Sequence, residues 1–115
     1  MRRVEKPWGF ELIFAETDKY VGKILHINAG EQLSLQYHKQ KDETIYVAQG
    51  VLKLEISDQR NPPAIKERIM KVGEHQRITP GMVHRFSALE TCELFEVSSP
   101  EIHDVIRLED RYGRI

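Results

Sequence analysis

Chain-breaking residues recur so often along this sequence that no long helix fits between them. Gly9, Asp18, Asn28-Ala29-Gly30, Lys41-Asp42, Gly50, the stretch from Asp58 to Pro63, Gly73, Pro80-Gly81, Glu90-Thr91 and Ser98-Ser99-Pro100 punctuate it. The runs between them are about 5 to 8 residues, which is strand length. Several alternate in character. In Leu33-Ser34-Leu35-Gln36-Tyr37-His38 the odd positions are apolar and the even ones polar, and Val51-Leu52-Lys53-Leu54-Glu55-Ile56 alternates too. Glu93-Leu94-Phe95-Glu96-Val97 is a third strand candidate. No window of about 12 residues has a clean helical period. Many short strands at even spacing predict an all-β sandwich or barrel. Only residues 101–110 leave a short helix and an extended arm equally open.

At 115 residues the chain has room for one domain, taken as 1–115. Lys and Arg number 17 against 18 Asp and Glu, a balance that argues against nucleic acid as partner. The single cysteine, Cys92, excludes an intrachain disulfide and cysteine-rich zinc sites, and is expected as a small buried apolar residue. No apolar run approaches the roughly 18 residues of a membrane span. The charges of Met1 to Pro7 have no apolar stretch behind them, so no secretory leader is expected. The expected location is cytoplasmic.

The residues with chemistry are Gln36, His38, Glu43 and His84. Gln36 and His38, two apart on a strand, point to one face. Glu43 follows a tight turn, and a hairpin would return it beside His38. His84 lies just after Thr79-Pro80-Gly81. Two imidazoles, a carboxylate and an amide oxygen form a mixed N/O donor set. Such a set suits one divalent ion, zinc ahead of manganese, iron, cobalt or nickel, and leaves positions open.

The spacing resembles the two cupin motifs: Gly30, five residues, Gln36-x-His38, four residues, Glu43, six residues, Gly50; then Gly73, Pro80-Gly81, two residues, His84. Gln36 stands where cupins usually have a first His. The resemblance implies a jelly-roll β-barrel. Lys6-Pro7-Trp8-Gly9, Lys23-Ile24, Ser34-Leu35-Gln36-Tyr37-His38, His84-Arg85 and the stretch Asp104 to Arg114, closing on Tyr112-Gly113-Arg114, are similar to the mannose-6-phosphate isomerase cupins. The likeness is greatest to the type II form, the C-terminal part of bifunctional isomerase/mannose-1-phosphate guanylyltransferases. It implies that Gln36, His38, Glu43 and His84 ligate a divalent metal. It also implies aldose–ketose isomerisation of the mannose 6-phosphate/fructose 6-phosphate type.

Such a reaction moves a proton between C1 and C2 and needs a general base within hydrogen-bond reach, plus cations for the phosphate. Glu96 is a base candidate on parity, since it shares a face with Cys92 and Leu94, where burial raises a carboxyl pKa. Lys23 is the other, with a solvated edge lysine as its alternative. Arg107, Arg85 and Arg114 are the candidate phosphate and catalytic cations. Trp8 either stacks on a sugar or plugs the barrel. The other functional readings are a metal- and sugar-binding module without turnover, and an O₂-using cupin oxygenase. With Gln36 and His38 inward, Leu33, Leu35 and Tyr37 point outward and need cover. That predicts a homodimer, or cover by the segment from Trp8 to Phe14.

Overall fold

The computed structural model describes residues 1–115. Eleven strands carry the chain: β1 (Arg2–Lys6), β2 (Gly9–Glu16), β3 (Val21–Ile27), β4 (Leu35–Tyr37), β5 (Glu43–Gln49), β6 (Leu52–Ser57), β7 (Lys66–Met70), β8 (His75–Ile78), β9 (Val83–Ala88), β10 (Cys92–Ser98) and β11 (Ile106–Glu109). They form two antiparallel sheets, one of six strands in the order β1-β2-β3-β10-β5-β8 and one of five in the order β11-β4-β9-β6-β7. Consecutive strands often lie in opposite sheets, as in a jelly roll. There is no helix, and so none long and apolar enough to cross a membrane.

The core lies between the sheets because alternate residues of each strand point there. Leu25, Ile27, Ile45, Val47, Ile78 and Leu94 come from the six-stranded sheet, and Leu52, Leu54, Met70, Phe86 and Ala88 from the other. Cys92 belongs to this cluster and is fully buried, and burial pushes its thiol up to about 11. Trp8 sits in the core cluster and also lines the cavity beside His38. Pro7 and Trp8 form a two-residue turn between β1 and β2, with Lys6 opposite Gly9. Gly9 is required there because a Cβ would stand 1.9 Å from the His26 carbonyl oxygen.

One open alternative is decided and one expectation changes. Residues 106–109 are a strand beside β4, so the C-terminal segment is an extended arm on its own barrel. The row of apolar residues around β4 is also not bare. Leu33 precedes the strand and packs against the core, Leu35 is 4% exposed, and the Arg60 guanidinium lies 4.9 Å over the Tyr37 ring. The cover comes from within the chain.

Candidate metal centre and cavity

The segment after β4 crosses from one sheet to the other. Glu43 therefore does not return beside His38 through a hairpin, because β4 and β5 belong to opposite sheets. Glu43 faces His38 and His84 across the sandwich. Its Oε1 lies 3.6 Å from His38 Nε2 and 3.3 Å from His84 Nε2. The three side chains form a cluster able to hold a metal ion, with one donor atom of each within 4.8 Å of the others. All three are buried, from 1% to 3% exposed.

The other ring nitrogens define the tautomers. His38 Nδ1 donates to the Asp104 carbonyl at 2.5 Å, and His84 Nδ1 donates to the Met82 carbonyl at 2.9 Å. A carbonyl oxygen only accepts, so each Nδ1 carries the proton. In the neutral rings each Nε2 then turns a lone pair toward Glu43. Both Nε2 atoms are buried without a hydrogen-bond partner. Buried lone pairs facing a carboxylate call for a cation between them, so the residues present fit a divalent ion. Gln36 is cross-strand from His84 on the inner face, and its Oε1 accepts from Ser34 Oγ at 2.5 Å.

Behind the cluster runs a chain of buried charges that crosses the six-stranded sheet. Lys41 Nζ lies 3.0 Å from both Glu43 and Glu96, Lys23 Nζ lies 3.6 Å from Glu96, and Lys23 donates to Glu11 at 3.1 Å. Burial works against the Lys41 charge, but Glu96 and Glu43 outweigh it and hold the ammonium above its usual range. Burial likewise opposes the charge on Glu43. The Lys41 ammonium, 3.0 Å away, offsets this and keeps Glu43 below the usual carboxylate range. Glu96 goes the other way: burial and the neighbouring Glu43 push it up, against the pull of Lys41 and Lys23.

A cavity of about 150 Å³ opens beside His38. Gln36, His38, Lys23, Lys41 and Glu11 line its inner part. Arg2, Val4 and Lys6 of β1 form one wall, and Ile102, His103, Val105, Arg107 and Arg114 of the arm form another. Arg2 pairs with Glu16 and Arg114 with Asp110, both at 2.8 Å. Arg107 Nε is buried with no partner.

The cavity sorts the residues singled out in the sequence. Lys23 is 5% exposed and ion-paired, where a solvated edge lysine was the alternative. Glu96 does face inward, but it lies beneath Lys23 and Lys41 and does not border the cavity. Arg107 and Arg114 border it. Arg85 does not, because it neighbours His84 on β9 and the pleat turns it to the outer face. There Glu55 holds it at 2.9 Å and Glu109 at 3.3 Å. Sequence reasoning missed Glu11, Lys41, Arg2 and Lys6. Strand parity could have found Glu11, two residues before Ile13 on the same face. Lys41 sits in a Lys-Asp turn signal and offers none.

Two antiparallel sheets closed around an inward His/Glu/His cluster place the chain among small β-barrels whose interior could hold a metal ion. The Cupin domain family matches residues 23–98, and the chain belongs to that family. It is 31% identical over 116 aligned residues to the mannose-1-phosphate guanylyltransferase ManC of Salmonella typhimurium, covering 99% of this chain and 23% of that protein. It is 32% identical over the same coverage to the mannose-1-phosphate guanylyltransferase of Escherichia coli. The chain thus spans about a quarter of the length of these curated relatives. Among solved structures, KdgF from Halomonas sp. superposes with a TM-score of 0.77 at 19% identity, covering 90% of this chain and 91% of that one. An oxalate decarboxylase variant of Bacillus subtilis gives 0.80 at 16% identity over 93% of this chain and 30% of that one. Both share the fold.

Proposed function

We propose that this cupin is a divalent-metal-dependent aldose–ketose isomerase acting on a hexose 6-phosphate, of the mannose 6-phosphate/fructose 6-phosphate type. The observation that carries the reading is one cavity that joins the His38/Glu43/His84 cluster to a cationic wall. The similarity to mannose-1-phosphate guanylyltransferases along 99% of the chain agrees with a mannose phosphate ligand.

In this reading His38, Glu43 and His84 hold the ion with Gln36 as fourth donor. The ion, zinc ahead of manganese, iron, cobalt or nickel, would supply Lewis acidity to the sugar oxygens. Lys6 and Arg107, which border the cavity outside any ion pair, take the phosphate, and Arg114 lies beside them. Glu11, which reaches the cavity, is the carboxylate placed to carry a proton between C2 and C1. Lys23 orients it through their 3.1 Å contact. Glu96 serves as counter-ion to Lys23 and Lys41. A doubly charged substrate does not cross a membrane unaided, which agrees with a cytoplasmic setting.

The test is conversion of mannose 6-phosphate by protein loaded with each of these ions, with deuterium uptake at C2 in heavy water. Turnover that is lost in Glu11→Gln supports the assignment. A second reading, metal and sugar binding without turnover, is favoured by Glu11 being already engaged by Lys23. Stabilisation by sugar phosphate without conversion would establish it and overturn isomerisation.

The same reading extends to a homodimer, with a second copy on the outer face of the six-stranded sheet. Leu12, Ile24, Phe95 and Tyr46 face one another in a row across β2, β3, β10 and β5. Phe95 and Tyr46 are stacked and each 43% exposed. Neighbouring charges are paired within the chain, Arg3 with Glu5 and Arg77 with Asp42, which limits the charge that a second copy meets at the rim. Light scattering should report a dimer that Phe95→Lys converts to monomer; monomer for the unaltered chain overturns it.

A further inference from the structure

The loop from His38 to Asp42 carries the chain between the sheets, and so decides how His38, Lys41 and Glu43 meet. Main-chain bonds hold its two ends, from Gly81 N–H to the His38 carbonyl and from Ser99 N–H to the Asp42 carbonyl. The N–H groups of Lys39, Gln40 and Lys41 all donate to the carboxylate of Asp104, at 3.2, 2.6 and 3.0 Å. The main-chain oxygen of the same residue accepts from His38 Nδ1 at 2.5 Å. Asp104 therefore holds the crossing loop with its side chain and orients His38 with its backbone. A reciprocal pair next to it, Asp42 N–H to Ser99 Oγ at 2.9 Å and Ser99 N–H to the Asp42 carbonyl at 3.0 Å, ties the start of the arm to the end of the loop.

Asp104 lies within the arm that walls the cavity through Ile102, His103, Val105 and Arg107. Loop and arm can hold these contacts only together. We infer that Asp104 is a positioning residue that sets the donor geometry of the metal centre and couples ion binding to closure of the C-terminal arm over the cavity. This rests on the proposal that His38, Glu43 and His84 hold a divalent ion. The physical basis is linkage. A group that orients a donor imidazole from outside the coordination sphere strengthens binding, and an ion that binds better with the arm seated must in turn stabilise the seated arm.

The test uses cobalt(II) as probe ion on the full chain, with affinity from chelator competition, visible absorption, and amide hydrogen exchange over residues 39–41 and 100–107. Asp104→Ala keeps the main-chain oxygen that orients His38 but releases the loop that carries it, and should bind cobalt about 10-fold more weakly, the low end for a lost outer partner, with an altered visible spectrum. Asp104→Asn keeps one acceptor oxygen and should fall between. In the unaltered chain cobalt should slow exchange in the arm; in Asp104→Ala at saturating cobalt that slowing should be absent. Asp110→Asn loosens the far end of the arm but leaves the Asp104 contacts in place, so by the same linkage its cobalt affinity should fall by less than that of Asp104→Ala, with an unchanged visible spectrum. Equal affinity and spectrum for Asp104→Ala, or arm exchange indifferent to cobalt in the unaltered chain, overturns the coupling. Failure of the unaltered chain to bind cobalt instead overturns the metal reading on which it rests. If Asp104→Ala does not fold, Asp104→Asn and the exchange data on the unaltered chain decide.

Discussion

Lys41 is 4% exposed and stands between two carboxylates, Glu43 and Glu96, 3.0 Å from each. It is the only contact in this charge chain that separates the acid of the metal cluster from the acid behind it. Lys41→Met keeps the length of the stem but removes the charge, leaving two buried carboxylates opposed. Breaking a buried pair by removing one partner typically costs about 3–5 kcal/mol, and a loss of that size is expected in urea unfolding of the metal-free protein. No residue-level pattern announces this role. Lys41-Asp42 looks like a surface turn, and the burial of Lys41 arises only when the crossing loop is folded under Asp104. Glu96 was legible through alternation, since Cys92, Leu94 and Glu96 share the inner face of β10. What alternation could not show is that two lysines lie between Glu96 and the cavity.

At the scale of elements, the glycines of the motif have structural tasks of their own. Gly50 has φ +89°, and a Cβ there would meet the Thr91 carbonyl oxygen at 2.3 Å. Backbone on both sides leaves nothing to yield, so Gly50→Ala should lower stability by more than about 1–2 kcal/mol, the cost of the left-handed conformation alone. Chemical denaturation measures it, and an unchanged midpoint would contradict the geometry. The arm has its own clasp: the Asp110 carboxylate accepts from the backbone N–H and the guanidinium of Arg114. The Arg114 hydrogen bond is the main reason that Asp110 is lowered from 3.8 to about 2. A depressed carboxylate stabilises above its unfolded pKa and loses that contribution as pH falls through the folded one. The stability difference between the unaltered chain and Asp110→Asn should therefore be constant near neutrality and shrink as pH drops from about 4 toward 2. A difference that stays constant through that window would contradict the clasp.

For the whole molecule, the ion should act as a structural element as well as a chemical one, because its donors come from both sheets. An ion that binds only the folded chain at 100 times its Kd adds about 2.7 kcal/mol. Chelation should lower the unfolding midpoint accordingly, and His84→Ala should abolish the difference; equal midpoints with and without ion would argue against a cross-sheet site. The strand rhythm, the inward parity of the core and the spacing of Gln36, His38, Glu43 and His84 were determined by the sequence itself, because turn residues and two-residue alternation are local properties of the chain. The fate of the tail, open between helix and arm, was decided by an edge of β4 free to pair with it. Tertiary structure alone decided that Glu43 meets the histidines across the sandwich, that Glu96 is sealed beneath lysines, and that Arg85 belongs to Glu55. Each of these depends on which strands become neighbours, and sheet order is a product of long-range packing that no local pattern contains.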